Sequence, residues 1–310
     1  MNLNIRQIYL SLICISLMFM QSCNNENVFP SSGKLISLIG RAESLLQSTE
    51  EGQNEGDFAP GSQKQLQTRV DWANYILETA ENNEAIDNAY EILNSEIEIY
   101  KLNVVKAGYP SLSNGSEIDL GKNSEYDIQS KFTIKYRVRF KDLTGNNLFS
   151  GEDTGGGIIT RYAGGTVQAY VHNGGWVGGN VDFNFEPQKW YNIAFVYDGQ
   201  SSKFYVDGKI CMDIKGMKAP VNIKPETHLK FGAHPTYGGR WFSGEICQVS
   251  IWSKAKNSAD VLSELNTEYS GEEDGLLAYW PMNLNLGSVI LDKTGKHTAV
   301  GNNIVWVDVE

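Results

Sequence analysis

Hydrophobic and polar positions follow three different rhythms along the 310-residue chain. Ile8–Met20 is a mostly apolar, uncharged run of 13 residues, too short for an ordinary spanning helix and suited to the core of a signal peptide. From 34 to 105 the apolar positions recur at three and four. Leu35, Leu38, Ile39, Ala42 and Leu46 form one series, Leu66, Val70, Ala73 and Leu77 a second, and Ala85, Ile86, Ala89, Leu93, Ile97 and Tyr100 a third. That spacing predicts three amphipathic helices in an antiparallel bundle. Ser62 with Gln65 three positions on has the form of a capping box opening the second helix. Beyond Gly108 the period falls to two: Phe132, Ile134, Tyr136, Val138 and Phe140 alternate with Lys and Arg, as in a strand with one buried face. Trp190–Asp198, Gly244–Trp252, Gly275–Trp280 and Val300–Val309 read as further strands. Lys203–Ile210 reads as a hairpin whose Asp207-Gly208 pair favours a type I′ turn. Short strands separated by Gly-rich turns predict a mainly β fold, a sandwich or barrel, over 108–310.

The apolar run ends in Met20-Gln21-Ser22-Cys23. A small residue directly before Cys is what lipoprotein signal peptidase requires, and the stretch resembles a bacterial lipobox, with Met20 where Leu is commoner. The resemblance implies a signal peptide over 1–22, acylation of Cys23, a tether over 23–33 and a Bacteroidetes-type outer-membrane lipoprotein, exposed on the cell surface or facing the periplasm. Each buried lipid methylene would contribute ~0.8 kcal/mol to anchoring. Cys14 would leave with the signal, so Cys211 and Cys247 would remain, either as a disulfide or as two separate buried thiols. No Cys or His spacing of the zinc type is present.

Charge narrows the partners. The chain carries 26 Lys+Arg against 37 Asp+Glu, a net charge of −11. Loss of Arg6 with the signal would make the mature chain more negative still. This balance excludes a nucleic-acid binder, which needs clustered cations, and leaves membrane attachment to the lipid anchor. Six of the seven Trp lie beyond residue 170, so the two parts of the chain differ in kind.

The stretch over 34–100, with Gly56-Asp57-Phe58 between its first two helices, resembles the FIVAR-type bundles of bacterial surface proteins, which implies a spacer or contact surface. The later segments "FTIKYRVRF", "WYNIAFVYDG", "KFYVDGK", "GRWFSGEICQVSIW" and "GLLAYWPMNLNLGSVILDKTG" resemble, in order and spacing, LamG-like jelly rolls of the laminin-G/concanavalin A superfamily. That resemblance implies a concanavalin A-like β-sandwich, and it raises the question of hydrolysis, because laminarinase-type glucanases share the fold. Their catalytic strand carries two glutamates and an aspartate on one face. In the matching strand Glu245 is present, but Cys247 and Ser250 stand where further acids are needed. One carboxylate cannot serve as both acid and nucleophile, so no enzyme is expected and no catalytic residue is assigned.

Two Gly-rich stretches combine a Trp with hydrogen-bonding side chains. They are Tyr170–Trp176, with His172 and Trp176 as candidates, and His234–Trp241, with Tyr237, Arg240 and Trp241. A sugar offers a C–H face to an aromatic ring and hydroxyls to polar neighbours. The expectation is that both stretches are loops meeting at one edge of the sandwich, although each aromatic has an alternative role packing over a sheet edge. Trp190, Trp252, Trp280 and Trp306 fall in strand patterns and are expected to be structural. Asp119 and Asp153 are conceivable calcium ligands by the LamG resemblance, but no Asp-x-Asp-x-Asp loop supports them, and no cofactor is assigned. Asp292 in Asp-Lys-Thr-Gly reads as an Asx-type turn. The leading reading is a non-catalytic lipoprotein that binds carbohydrate. A protein–protein adhesion or assembly subunit and a divergent glycoside hydrolase are the alternatives.

Overall fold

The computed structural model describes residues 30–144, 146–218, 220–237 and 239–309. The expected signal peptide, Cys23 and most of the tether lie outside the described residues. The chain divides into two compact units. One holds the described residues up to Thr49 together with Gln63–Leu102, and the other holds Glu50–Ser62 and Asn103–Glu310.

The first unit consists of α1 (Ser32–Ser48), α2 (Ser62–Thr79) and α3 (Asn83–Leu102). Leu35, Leu38, Ala42, Leu66, Val70, Ala73, Ile86, Ala89, Leu93 and Tyr100 are buried as the periodicity requires. The expected capping box does not form. Ser62 is the first residue of α2, and its hydroxyl donates to Glu51 (3.4 Å) while Gln65 donates to Glu96 (2.7 Å). A buried carboxylate captured the amide that would otherwise have turned back on the helix end. At the start of α3, Asn82 does the capping, its Oδ1 accepting the Ala85 N–H at 3.0 Å.

The second unit is a sandwich of two antiparallel sheets. In chain order its strands are β1 (Gly108–Leu112), β2 (Glu117–Lys122), β3 (Phe132–Phe140), β4 (Asn147–Asp153), β5 (Gly156–Ala163), β6 (Thr166–His172), β7 (Trp176–Asn180) and β8 (Trp190–Tyr197). There follow β9 (Ser201–Val206), β10 (Lys209–Lys215), β11 (His228–Phe231), β12 (Gly244–Trp252), β13 (Leu276–Trp280), β14 (Val289–Leu291), β15 (Thr298–Asn302) and β16 (Val305–Asp308), with a short helix α4 (Ser258–Ser263) before β13. Sheet one runs β10-β9-β8-β3-β12-β1-β16, with β13 also on β12. Sheet two runs β14-β15-β2-β11-β4-β5-β6-β7.

Alternation builds the core. Phe132, Ile134, Tyr136, Val138 and Phe140 of β3 point inward, and sheet two answers with Phe149, Ile158, Val167, Ala169, Val171 and Phe231. Tyr136 crosses between the sheets, its ring 5.0 Å from that of Phe231 and its hydroxyl 3.1 Å from Thr160 Oγ1. The hairpin turn forms as expected, with Asp207 and Gly208 both at positive φ (47° and 78°) and Val206 paired to Lys209. The expected final strand is two strands instead. Asn303, at φ 52°, breaks it, so that β15 joins sheet two and β16 joins sheet one. Cys211 and Cys247 are separate free thiols, and burial pushes the Cys247 thiol up to about 12.

Candidate functional site

The register of sheet two assembles a polar and aromatic surface on the face turned away from the core. Glu152 of β4 opposes Gly157 of β5. Ile158 opposes Val171, which places His172 of β6 across from Gly157, and His172 in turn opposes Trp176 of β7. Because side chains across antiparallel strands share a face, Glu152, His172 and Trp176 form one transverse row, interrupted by a glycine without a side chain. Strand spacing puts Glu152 and His172 about 10 Å apart across that gap. Gly157 has φ 140°, and a Cβ there would fall 2.1 Å from the Gly151 carbonyl oxygen, so the gap is imposed by the backbone.

Trp176 is 45% exposed and stands edge-on to His172, ring centres 5.4 Å apart. His172 Nδ1 is buried and makes no hydrogen bond among the described residues. Four strand positions along, Arg161, Gln168 and Asn180 form a second transverse row. Arg161 donates to Gln168 and Gln168 to Asn180, each at 3.0 Å. Tyr170 lies between the two rows, with Arg161 over its ring at 5.9 Å. The expectation that the Tyr170–Trp176 stretch is a loop is corrected here. Trp176 opens a paired strand, and the turn before it is tied down by Asn173, whose Oδ1 accepts the Lys218 N–H at 2.8 Å.

The second group stands on the loop between β11 and β12, closed by the Phe242 N–H on the Gly232 carbonyl at 3.0 Å. Buried His234 anchors it. Nδ1 accepts the N–H groups of Thr236 and Tyr237 at 3.1 and 3.0 Å, and Nε2 faces Glu152 at 3.5 Å. Burial holds this imidazole below its ordinary pKa, aided by Arg240 and opposed by Glu152 and Asp153. Tyr237, 51% exposed, packs its ring over His234 at 4.6 Å. Arg240 Nη1 donates to Glu152 at 3.1 Å, and Arg240 holds the left-handed φ of 55°, an uncommon backbone state outside glycine that the loop imposes. Asn147 also donates to Glu152 (3.2 Å), and its buried Oδ1 has no partner among the described residues.

Glu152 thus stands between the two groups. It holds Arg240 and His234, and through its row reaches His172 and Trp176. Trp241 behaves differently from the other candidates. It is half-buried, its carbonyl accepts from the Asn146 N–H, and among the described residues no hydrogen bond or ring contact joins it to the row. Phe242 is in the core. Glu152, Asn147, His234, Arg161, Gln168 and Asn180 escaped the sequence reading. The alternation Arg161, Tyr170, Gln168 along β5 and β6 was a usable signal, whereas Glu152 had none.

Asp119 and Asp153 are engaged as ion-pair and turn acceptors. Asp119 meets His228 Nδ1 at 2.9 Å and Lys230 at 3.6 Å. Asp153 accepts from Gly155, Thr227 and Lys224, which together hold its carboxyl below the usual range although burial opposes them. Among the described residues no group of three or more His, Cys, Asp or Glu is arranged to hold a metal ion.

Residues 112–262 match the family model of the concanavalin A-like lectin/glucanases superfamily. This stretch is a LamG/concanavalin A-like domain. Among solved structures, a protein from Bacteroides ovatus described as carbohydrate-binding superposes with a TM-score of 0.56 at 19% identity, covering 67% of this chain and 61% of its own. The chain therefore spans about three fifths of that protein's length. Domain 4 of AbnA, an extracellular arabinanase from Geobacillus stearothermophilus, in complex with arabinotriose, gives a TM-score of 0.45 at 17% identity over 53% of this chain and 87% of its own. No curated protein sequence matches the chain.

Proposed function

We propose that the outward face of sheet two, from Glu152 to Trp176, binds carbohydrate without catalysing its breakdown. The carrying observation is the pair of transverse rows. Exposed Trp176 and half-buried Tyr170 stand beside Arg161, Gln168, Asn180 and His172. Ring faces receive the C–H faces of a sugar, while guanidinium, carboxamide and imidazole groups exchange hydrogen bonds with its hydroxyls. The likeness to the Bacteroides ovatus protein, called carbohydrate-binding, points the same way. We further infer that the chain is an outer-membrane lipoprotein held through Cys23, with the helical unit standing between anchor and sandwich in the sequence.

A glycan array followed by titration of the strongest hits tests the reading. Binding should weaken in Trp176→Ala and in Arg161→Ala, while both variants keep the parent unfolding temperature. Binding untouched by both changes, or no sugar bound at all, would remove this face from consideration.

A further inference from the structure

The outward face of sheet one carries a cation without a counter-ion. Arg137 of β3 stands there between Cys247 of β12 and Asn192 of β8. It is half-buried, its guanidinium lies 5.2 Å from the Trp190 ring, and its buried Nε makes no hydrogen bond among the described residues. Nη1 and Nη2 have no hydrogen bond or ion pair there either, and they stay open to solvent. The acids nearby are engaged elsewhere. Two positions along β12, Glu245 holds Arg139 with one oxygen and Ser111 with the other. Glu264 pairs with Lys135 at 3.1 Å and Lys256 at 2.8 Å, and Asp207 accepts from the Asn192 N–H and carboxamide.

The Arg139–Glu245 pair is neutral, and the cluster of Lys135, Lys256 and Glu264 keeps one positive charge, to which Arg137 adds a second in a chain whose net charge is −11. A half-buried charge is stabilised by pairing, and the guanidinium fork matches a carboxylate through two parallel N–H···O bonds. The sheet is also recessed beside Arg137. β12 bulges there, with Gln248 at φ 50° and the register against β3 shifted between Cys247 and Ser250. Lys135, Arg137, Asn192, Gln248 and Thr267 line a recess of about 20 Å³, room for one water-sized group and too small for a sugar ring. On the other side of Arg137, Trp190 leans across β3 and β12 to meet Tyr109 of β1, ring centres 5.1 Å apart. Both rings are half-buried, and the indole N–H and the Tyr109 hydroxyl are open to solvent and make no hydrogen bond among the described residues.

We infer that this patch is a second binding site, which takes a uronic acid residue of an acidic glycan. The carboxylate pairs with the Arg137 fork and places one oxygen in the recess, while the sugar ring stays outside against Trp190 and Tyr109, whose free N–H and O–H groups meet its hydroxyls. The choice of a sugar over an acidic peptide rests on the carbohydrate reading of the sandwich, but the site uses no residue of sheet two.

The test follows the indole N–H signals of the full chain by NMR during titration with trigalacturonic acid, its fully methyl-esterified form and tetraglutamate. Trigalacturonic acid should move the Trp190 signal in the parent and in Trp176→Ala alike. The ester, which keeps the rings and loses the charges, should bind about tenfold more weakly. The acid should lose about as much in Arg137→Gln at a nearly unchanged unfolding temperature, and Arg137→Lys should recover part of the loss by restoring the charge without the fork. A Trp190 signal silent to the acid, an ester that binds as tightly as the acid, or full affinity in Arg137→Gln overturns the site. Tetraglutamate binding as tightly as the sugar acid overturns the choice of a sugar. Silence at Trp190 with glycan-array binding still lost in Trp176→Ala overturns this site and leaves the sheet-two face standing. A Trp190 response in a chain whose array binding ignores Trp176→Ala and Arg161→Ala upholds this site and removes the sheet-two face.

Discussion

His234 and Glu152 face each other at 3.5 Å across the base of the β11–β12 loop, and the imidazole nitrogen turned away from Glu152 accepts two backbone N–H groups, of Thr236 and Tyr237. A nitrogen accepting two N–H bonds cannot carry a proton, so His234 is the neutral tautomer with its hydrogen on Nε2. Burial lowers its pKa from 6.5, with Arg240 acting in the same sense and Glu152 and Asp153 against. A lowered histidine pKa means that the unfolded loop binds more protons than the folded one. Stability from this group is complete above the unfolded value of about 6.5 and declines as pH falls from there toward the folded pKa. Protonating Nδ1 would break both N–H bonds and free Tyr237. Amide exchange at Thr236 and Tyr237, corrected for intrinsic rates, should therefore accelerate as pH drops from about 7.5 through 6. Constant protection across that window would show that His234 is not what holds the loop.

The contact of Trp176 with His172 predicts a separation of binding from stability. Trp176 is 45% exposed and Trp280 is 0% exposed, although both are Trp in strands. Trp176→Ala should cost about 1–2 kcal/mol of glycan affinity, from lost stacking and partial burial, with little change in unfolding temperature. Trp280→Ala should instead cost about 3–5 kcal/mol of folding stability. A Trp176→Ala variant that unfolds like a core truncation would refute the assigned roles.

The alternation of β3, the Asp207-Gly208 turn and the Gly244–Trp252 strand were readable because each follows from local chemistry: a period of two, a pair of residues tolerant of positive φ, a glycine-bounded apolar run. The reading failed at Val300–Val309, where Gly301-Asn302-Asn303, a stretch tolerant of positive φ, marks the point at which one apolar run is shared between two sheets. Local chemistry reaches its limit at the candidate site. His172, Trp176, Tyr237 and Arg240 stood out by type, but the residue that joins them, Glu152, sits in an unremarkable Gly-Glu-Asp stretch. Its role comes from register with Gly157 and from a loop more than eighty positions away.

Asp292 turned out to be more than the expected Asx turn. Its buried carboxylate accepts the backbone N–H groups of Tyr279 (2.8 Å), Thr294 (3.0 Å), Lys296 (3.2 Å) and His297 (3.1 Å), besides the Thr294 hydroxyl. Removing an acceptor that satisfies several buried donors should cost about 3 kcal/mol in Asp292→Ala, and less in Asp292→Asn, which keeps one acceptor oxygen. Chemical denaturation of the two variants measures this. A loss below about 1 kcal/mol in Asp292→Ala would mean that water replaces these bonds freely.

Ser22-Cys23 after an apolar run of 13 residues carries the anchoring proposal. Cys23→Ala should abolish incorporation of labelled fatty acid and shift the protein out of the membrane fraction. Unchanged labelling and fractionation would overturn the lipoprotein reading without touching the sandwich.

Glu245 is the acid that the glucanase resemblance would make catalytic, and its surroundings assign it another task. Oε2 accepts from Arg139 Nε at 2.9 Å and Oε1 from the Ser111 hydroxyl at 3.1 Å, with both charged side chains nearly buried. Arg139 also lies 5.3 Å from the Trp190 ring. A retaining hydrolase needs a second carboxylate about 5–5.5 Å away, and positions 247 and 250 of the strand hold a buried thiol and a serine that accepts the Trp252 indole N–H. Both oxygens of Glu245 are therefore committed to linking β1, β3 and β12. The purified protein should release no reducing ends from β-glucans or host glycans. Glu245→Gln should register as a loss of roughly 1–3 kcal/mol of folding stability, because the charge-assisted bond from Arg139 is replaced by a neutral one. Sustained sugar release by the parent that disappears in Glu245→Gln, at a temperature where that variant is still folded, would reverse the assignment and make Glu245 part of an active site.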